Sequence, residues 1–255
     1  MKTIILSGGL GSRLGEYTEN IPKPMIPIGG KPLLWHIMQR FAMFGHTDFG
    51  IALGYKAHVI KDYFLNYATN SNDFSIDLAS GKINILNPIE DNWNISLFDT
   101  GLETQTGGRV RRLSDQIGNE RFFLTYGDGV ANIDIDQLLE FHINHGKMIT
   151  ISAVHPGARF GELSISGTTV NEFREKPQTN TGWINGGYFV VEPEFLDLIS
   201  NDKTVLEEEP LEKAASMGQL EAYLHGDFWH CVDTKRDKVS LDDIWKTGAA
   251  PWIKR

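Results

Sequence analysis

The sequence lacks several features that define large classes of protein. Cys231 is its only cysteine, which excludes an internal disulfide and favours a reducing compartment. It has no run of about 18 apolar residues, the length that a helix needs to cross a bilayer. The first apolar run is too short to predict a signal segment. We therefore expect a cytoplasmic protein with no membrane partner.

Positive charge is also scarce, with 24 Lys and Arg against 33 Asp and Glu and a formal net charge of -9. Binding of nucleic acid relies on clustered basic residues, so this balance argues against nucleic acid as a partner. The histidines and the cysteine lack the spacing of a zinc site, and no Ser-His-Asp or Cys-His arrangement is evident. His36 lies in an apolar helical stretch and is expected to be a hydrogen-bonded core residue.

Short β-branched runs alternate with amphipathic stretches of helical length, a pattern typical of βαβ units around a parallel sheet. Strands are predicted at 3–6, 49–53, 95–99, 122–126, 150–154 and 188–191, and helices at 33–44, 59–66, 135–144, 193–199 and 210–217. No repeat or Pro-, Gly- and Ser-rich linker divides the chain, so we expect one α/β domain over residues 1–255. The polar, Asn-rich stretch 71–94 predicts an irregular excursion or a small hairpin.

The most informative segment follows the first predicted strand. Gly8, Gly9 and Gly11 fall within four residues, and Arg13 and Lys23 come after them. Glycines carry no Cβ, so a polyanion can approach the main-chain N–H groups, while the two basic side chains add positive charge. The pattern indicates a loop that binds the phosphates of a nucleotide.

Other glycine-rich loops differ from this one in spacing. Leu14 stands where a dinucleotide-binding loop needs its third glycine, and the acid that clamps the ribose is missing about 20 residues later. Every Gly-Lys pair lacks the Ser or Thr that a Walker A loop requires. Both classes are excluded on residue type. A glycine turn that only packs a helix remains the alternative.

Three further segments lie at or beyond predicted strand ends, where open α/β sheets bind their ligands. Two separated aspartates can hold one Mg²⁺, which binds carboxylates and substrate phosphates. A lysine beside an acid and an amide can hold a phosphorylated, hydroxyl-rich acceptor. Taken singly, each segment also fits a turn, a solvated strand end or a helix N-cap. The residues concerned are Gly127, Asp128, Glu175, Lys176, Asn185, Gly186 and Asp233.

Together these motifs resemble those of the sugar-nucleotide pyrophosphorylases, a group of nucleotidyltransferases. The resemblance runs nearly end to end, through residues 8–13, 23–25, 28–32, 34–38, 54–56, 99–101, 106–109, 125–130, 159–161, 175–177, 184–187, 209–211 and 233–239. The segments 35–38 and 106–109 and the tail 248–252 point to the glucose-1-phosphate cytidylyltransferase branch. Ser7 and the pair Cys231-Val232 depart from the family pattern, which usually has Ala and Pro-Met there.

The resemblance implies a doubly wound, mostly parallel sheet of the Rossmann-like nucleotidyltransferase type, with a small sugar-binding β excursion. It implies transfer of the cytidylyl group of CTP to glucose-1-phosphate, giving CDP-glucose and pyrophosphate. The transfer would be an in-line attack without a covalent intermediate, in a homo-oligomer that uses Mg²⁺. Transfer from UTP or dTTP, another phosphorylated acceptor, and a non-catalytic nucleotide sensor remain alternatives.

The resemblance also assigns roles to individual residues. The catalytic residues would be Arg13, Lys23, Asp128 and Lys176, and the metal ligands Asp128 and Asp233. The sugar phosphate would contact Glu175, Lys176, Asn185 and Gly186. The nucleotide would contact Leu6, Gly8, Gly9, Leu10, Gly11, Ser12, Arg13, Lys23, Thr104, Thr106, Arg109 and Gly127. The residues expected near the cytosine ring are Thr104, Thr106 and Arg109.

Overall fold

The computed structural model describes residues 1–11, 14–87, 92–156, 162–166, 169–174 and 182–254. Its strands are β1 (Lys2–Ser7), β2 (Pro27–Ile28), β3 (Lys31–Pro32), β4 (Asp48–Leu53), β5 (Asp73–Asp77), β6 (Lys82–Leu86), β7 (Asn94–Asp99), β8 (Phe122–Tyr126), β9 (Gly129–Ala131), β10 (Ile149–Val154), β11 (Glu162–Ser166), β12 (Thr169–Arg174), β13 (Ile184–Val191), β14 (Leu220–His225) and β15 (Trp229–Cys231). Its α-helices are α1 (Gly15–Thr18), α2 (Leu33–Ala42), α3 (Ala57–Leu65), α4 (Tyr67–Ser71), α5 (Thr106–Arg112), α6 (Ser114–Ile117), α7 (Ile135–His145), α8 (Glu209–Ser216) and α9 (Lys235–Lys246). Short 3-10 helices cover Lys23–Met25, Pro193–Leu198 and Pro251–Ile253.

The central sheet has seven described strands in the order β14-β10-β13-β8-β1-β4-β7. β1 runs parallel to β4 and β8, β4 runs parallel to β7, and β10 runs parallel to β14. β13 runs antiparallel to both of its neighbours, β8 and β10. The predicted mostly parallel sheet is therefore confirmed.

Each face of this sheet carries its own hydrophobic core, because successive residues of a strand point to opposite faces. On β1, Ile5 belongs to the cluster that includes Phe41 of α2. Its neighbours Ile4 and Leu6 belong to the cluster that includes Val110 of α5. Helices thus cover both faces, as a doubly wound architecture requires, and the strand ends remain available for a binding site.

α5 and β14 are two of the elements that the sequence pattern did not predict. Gly107 and Gly108 disfavour a helix in isolation. In the fold, however, a Cβ at Gly108 would lie 2.4 Å from the carbonyl oxygen of Asp202, so α5 can pack against that segment only because it carries glycine there. β14 lies at the sheet edge with most of its residues partly exposed, which weakens its hydrophobic alternation.

The prediction of an α-helix at 193–199 is wrong in type. The segment forms a 3-10 helix over Pro193–Leu198. The N–H of Phe195 bonds to the carbonyl of Glu192, three residues earlier, and that of Ile199 bonds to Leu196 in the same way. Short helical segments often adopt the tighter 3-10 form. Burial of Phe195 holds this one against the core.

Within the stretch 71–94, the structure shows the predicted small hairpin, formed by β5 and β6. Phe74 pairs with Ile85 and Ile76 pairs with Ile83 on the same face. Phe74 is 44% exposed and Ile76 is 48% exposed, so the apolar face of the hairpin is open to solvent.

His36 is a buried, hydrogen-bonded core residue, as predicted. The Trp252 indole N–H donates to its Nδ1 at 3.1 Å, so the ring proton lies on Nε2, which donates to the Ile28 carbonyl at 2.9 Å. Burial lowers the pKa of His36 to about 4. The hydrogen bond from Trp252 to His36 joins the segment 35–38 to the tail 248–252, two of the segments on which the resemblance to the cytidylyltransferase branch rests.

Among the described residues, no helix is both long enough and apolar enough to span a bilayer.

Candidate active site

Most of the residues predicted to contact a nucleotide surround one cavity, the first cavity, at the carboxyl ends of β1 and β8. β1 has β4 on one side and β8 on the other, so the strand order reverses here, and doubly wound sheets bind ligands at such a switch point. The cavity has a volume of about 250 Å³. It is lined by Leu6, Ser7, Gly8, Gly9, Gly11, Lys23, Pro24, Thr104, Gln105, Thr106, Arg109, Tyr126, Gly127 and Asp128.

This lining includes Leu6, Gly8, Gly9, Gly11, Lys23, Thr104, Thr106, Arg109 and Gly127 from the predicted nucleotide contacts. Leu10, in the same loop, is 59% exposed. Ser12 and Arg13 lie outside the described residues, so their predicted roles stay predictions.

Arg109 connects the loops that border the first cavity through hydrogen bonds. Its guanidinium is buried and passes so close to two glycines that a Cβ at Gly8 would lie 2.2 Å from its Cζ, and a Cβ at Gly54 2.5 Å from its Nη1. Its Nη1 and Nη2 atoms donate to the carbonyls of Gly8, Leu53, Gly101 and Leu102 and to Thr100 Oγ1. The side chain therefore ties together the loops after β1, β4 and β7. Its expected place near the base stays a prediction.

Lys23 lies between the two aspartates predicted to hold metal. Its Nζ is 2.7 Å from Asp128 Oδ2 and 2.7 Å from Asp233 Oδ1. Burial alone lowers the pKa of Lys23, but the charge of Asp128 and the hydrogen bonds to both carboxylates outweigh it, so the pKa lies above its ordinary value. Lys23 is thus a fixed cation at the floor of the site.

A short sheet brings the two aspartates together. β15 pairs antiparallel with β9, with Cys231 opposite Gly129, and the Val232 N–H donates to the Asp128 carbonyl at 2.9 Å. Asp233 follows directly. Thr234, not Asp233, is the N-cap of α9, in a capping box with Asp237. The Asp233 carboxylate is therefore left to bond Lys23.

The donor atoms at this point suit a divalent cation. Asp128, Cys231 and Asp233 each place a possible ligand atom within 4.8 Å of the others. The Lys23 ammonium already sits between the two carboxylates as a cation would. Carboxylate oxygens are hard donors that suit Mg²⁺, whereas the Cys231 sulfur is a soft one. Burial, followed by the charge of Asp128, raises the pKa of the Cys231 thiol.

A second cavity of about 190 Å³ adjoins the first, since Tyr126 and Asp128 line both. It contains Asn185 and Gly186, two of the predicted sugar-phosphate contacts. Glu175 and Lys176 lie outside the described residues. The lining is formed by Thr125, Tyr126, Asp128, Gly129, Asn185, Gly186, Gly187, Tyr188, Trp229 and Cys231.

Two side chains of the second cavity have fixed orientations. Asn185 Oδ1 accepts from the Gly187 N–H at 2.8 Å, so its amide NH₂ faces Tyr126, to whose hydroxyl oxygen it donates at 3.0 Å. The Trp229 indole N–H donates to the Gly186 carbonyl at 2.8 Å. The cavity thus combines an oriented amide with a held aromatic ring.

Sequence reasoning gave no role to several residues that the structure places in the site. Tyr126 lies in the segment 125–130, and Trp229 lies four residues before the segment 233–239. Their aromatic side chains at strand ends were the available signal. Gln105 falls between two assigned threonines. Glu207, which bonds both Thr106 and Tyr126, lies in a run of three glutamates that gives no local sign of its contacts.

Comparison with known proteins extends the similarity over the whole chain. Residues 2–239 match the model of a family described as nucleotidyl transferase. The chain is 47% identical to a glucose-1-phosphate cytidylyltransferase of Salmonella typhi, covering 99% of this chain and 98% of that protein. It is 40% identical to a probable glucose-1-phosphate cytidylyltransferase of Bacillus subtilis, covering 99% of each.

Among solved structures, the fold is similar to that of HddC from Yersinia pseudotuberculosis in complex with GMP-PN. The TM-score is 0.70 at 24% sequence identity, over 96% of this chain and 99% of that one. At this identity the likeness shows the fold alone, and it agrees with the doubly wound sheet described above.

Proposed function

The chain belongs to the nucleotidyl transferase family, and from that membership we propose that it transfers the cytidylyl group of CTP to glucose-1-phosphate, giving CDP-glucose and pyrophosphate. The observation that carries the proposal is the 47% identity with the Salmonella typhi glucose-1-phosphate cytidylyltransferase over nearly the whole of both chains. Two adjoining cavities, with the carboxylates of Asp128 and Asp233 beside them, support a two-substrate transfer.

We assign the nucleotide to the first cavity. Its glycine loop exposes main-chain N–H groups that suit phosphates. Lys23 supplies a positive charge at the cavity floor. Thr104 offers a hydroxyl group that can bond the edge of a base, and Thr106 Oγ1, whose proton is directed at Glu207, can accept one further hydrogen bond. Arg109 fixes the positions of the surrounding loops through its hydrogen bonds to their carbonyls, so the pocket has its shape before the nucleotide binds.

We assign the sugar phosphate to the second cavity. The oriented amide of Asn185 can donate a hydrogen bond to a sugar hydroxyl. The shared residues Tyr126 and Asp128 mark where the two substrates would meet. Glu175 and Lys176 are assigned to the same substrate on sequence resemblance alone.

The family implies a divalent cation, and we propose Mg²⁺ held by Asp128 and Asp233. When bound, the ion would offset negative charge on the transferring phosphoryl group and on pyrophosphate. The protein's own contribution is alignment, since a glucose-1-phosphate oxygen is already ionised and needs no general base. Lys23 stabilises charge that grows on the leaving pyrophosphate. The expected homo-oligomer, cytoplasmic location and sugar-binding excursion stay predictions.

Pyrophosphate release over a matrix of substrates tests this proposal. The nucleotides are CTP, UTP, dTTP, ATP and GTP, and the acceptors are the 1-phosphates of glucose, galactose and mannose. We expect CTP with glucose-1-phosphate to give a kcat/KM at least about tenfold above every other pair. Equal use of UTP or dTTP would contradict the cytidylyl assignment, and a faster reaction with another sugar phosphate would contradict the acceptor.

A further inference from the structure

Glu207 lies on the segment that leads into α8 and joins two residues of the candidate site. Its Oε2 accepts from the Thr106 hydroxyl at 2.6 Å, and its Oε1 accepts from the Tyr126 hydroxyl at 2.5 Å. Thr106 lines the first cavity, while Tyr126 lines both cavities. One carboxylate thus bonds groups from two parts of the site.

The hydrogen bonds continue from Tyr126 into the second cavity. The Asn185 amide donates to the Tyr126 oxygen at 3.0 Å. Since the Asn185 NH₂ group can only donate, the Tyr126 oxygen accepts from it, and the hydroxyl proton of Tyr126 is directed at Glu207 Oε1. The direction of each bond in the chain Asn185 to Tyr126 to Glu207 is therefore fixed.

The opposite end of the chain is fixed as well. The Leu206 N–H donates to Thr106 Oγ1 at 2.9 Å, which leaves the Thr106 hydroxyl proton directed at Glu207. Thr106 is the first residue of α5, the helix that carries Arg109. The Glu207 carboxylate therefore positions the start of that helix and, through Tyr126, the amide of Asn185.

We infer that Glu207 is a positioning residue that links the nucleotide cavity to the sugar-phosphate cavity. The inference rests on the proposed function and adds to it a residue that contacts neither substrate. A hydrogen bond to a charged group contributes more to stability than one between neutral groups, so its loss loosens the hydroxyl group that it held. Removing the carboxylate takes away the acceptor of the Thr106 and Tyr126 hydroxyl protons. Both hydroxyls, and the Asn185 amide that bonds Tyr126, are then held by fewer hydrogen bonds, so binding of both substrates weakens.

Steady-state kinetics with three single variants test this inference. Glu207→Ala should raise KM for both CTP and glucose-1-phosphate by about tenfold each. Tyr126→Phe keeps the ring but removes the hydroxyl that joins Glu207 to Asn185, while the bond between Thr106 and Glu207 stays, so it should raise KM for glucose-1-phosphate alone. Glu208→Ala, at the neighbouring exposed glutamate, is the matched control and should leave both constants unchanged.

The double variant Glu207→Ala/Tyr126→Phe separates a positioning role from a local structural one. If both residues act through one chain, its KM for glucose-1-phosphate should equal that of Glu207→Ala. Additive effects, or a Glu207→Ala variant that changes only the KM for CTP, would overturn the inference. Because Glu207 is exposed, we expect the variants to unfold within a few degrees of the wild type. A wild type that releases no pyrophosphate would instead refute the proposed function.

Discussion

At the scale of single residues, the site depends on the charge balance around Lys23. One ammonium faces two carboxylates at 2.7 Å each, so the positive charge lies where we propose that a divalent cation binds. Neutralising either carboxylate weakens the attraction for any cation at this point without removing a packed side chain. The effect of such a change on catalysis should therefore exceed its effect on stability.

Asp128→Asn tests this expectation. The amide has nearly the shape of the carboxylate but no charge, so we expect turnover to fall by at least about 100-fold, as when one electrostatic stabiliser is lost. Binding of Mn²⁺, followed by electron paramagnetic resonance, should weaken in parallel. Asp197→Asn, at an exposed aspartate, is the control. Wild-type turnover and Mn²⁺ affinity in Asp128→Asn would remove this residue from the metal site.

Arg109 differs from Lys23 because its partners are mainly main-chain carbonyls. Its guanidinium has five donors in a planar fork, and lysine cannot reproduce that geometry. The buried carbonyls of Gly8 and Leu53 would lose their Arg109 donors if the guanidinium were removed. A change here should therefore lower stability as well as disturb the first cavity.

Chemical denaturation of Arg109→Lys should show this loss. We expect the free energy of unfolding to fall by about 2–4 kcal/mol, because two or more buried hydrogen bonds from a charged group are lost. Arg112→Lys, on the same helix, is the control, because Arg112 forms an exposed ion pair with Asp202 and such pairs contribute at most about 1 kcal/mol. An equal loss of unfolding free energy in the two variants would contradict the role of Arg109 as the residue that connects the loops.

At the scale of elements, the sequence predicts the strands that have strong hydrophobic runs. β1, β4, β8 and β10 lie within one residue of their predicted bounds, because buried strands of a parallel sheet read as continuous apolar stretches. The edge strand β7 also lies within one residue of its predicted bounds, although its residues are only partly buried. The half-exposed edge strand β14 has no such run. Helix α5 was not predicted, because its glycines are explained only by the close approach of Asp202, a contact from a distant segment.

Buried histidines in α2 and α7 make the stability of the protein depend on pH. Burial lowers the pKa of His36 to about 4, from 6.5. The unfolded chain therefore takes up a proton more readily than the folded one below pH 6.5, and stability falls as the pH drops towards 4. His142 in α7 is similar, with a pKa lowered to about 4 by burial.

Denaturation from pH 8 to pH 4 measures this dependence. We expect the free energy of unfolding to stay level above about pH 6.5 and then to lose about 3 kcal/mol per buried histidine by about pH 4. His36→Gln should reduce that loss by about 3 kcal/mol, while His142 and the four other histidines whose pKa is lowered keep their contributions. His58→Gln, at an exposed histidine, should leave the slope as in the wild type. An unchanged slope in His36→Gln would contradict the assignment.

At the scale of the whole molecule, the site is assembled from segments far apart in sequence. Lys23 bonds Asp128 across 105 positions and Asp233 across 210. Strand and helix patterns cannot show such pairings, because they report only local periodicity. The resemblance did bring Lys23, Asp128 and Asp233 into one set. It gave no sign of Glu207, whose contacts exist only once the sheet and α5 are in place.

The two cavities share Tyr126 and Asp128, and under our proposal this adjacency allows direct transfer between two bound substrates. If a nucleotide and a sugar phosphate occupy them together, an acceptor oxygen can reach the α-phosphorus without a covalent enzyme intermediate. Transfer of the cytidylyl group to water should then be slow compared with transfer to glucose-1-phosphate.

The most direct measurement is ³¹P NMR of the wild-type protein with CTP, glucose-1-phosphate and Mg²⁺. We predict the paired diphosphate resonances of CDP-glucose, with pyrophosphate formed in equal amount and no build-up of cytidine monophosphate. Cytidine monophosphate with pyrophosphate would mean transfer to water, and unchanged CTP under conditions where UTP or dTTP reacts would mean a different nucleotide. Either result would contradict cytidylyl transfer to glucose-1-phosphate.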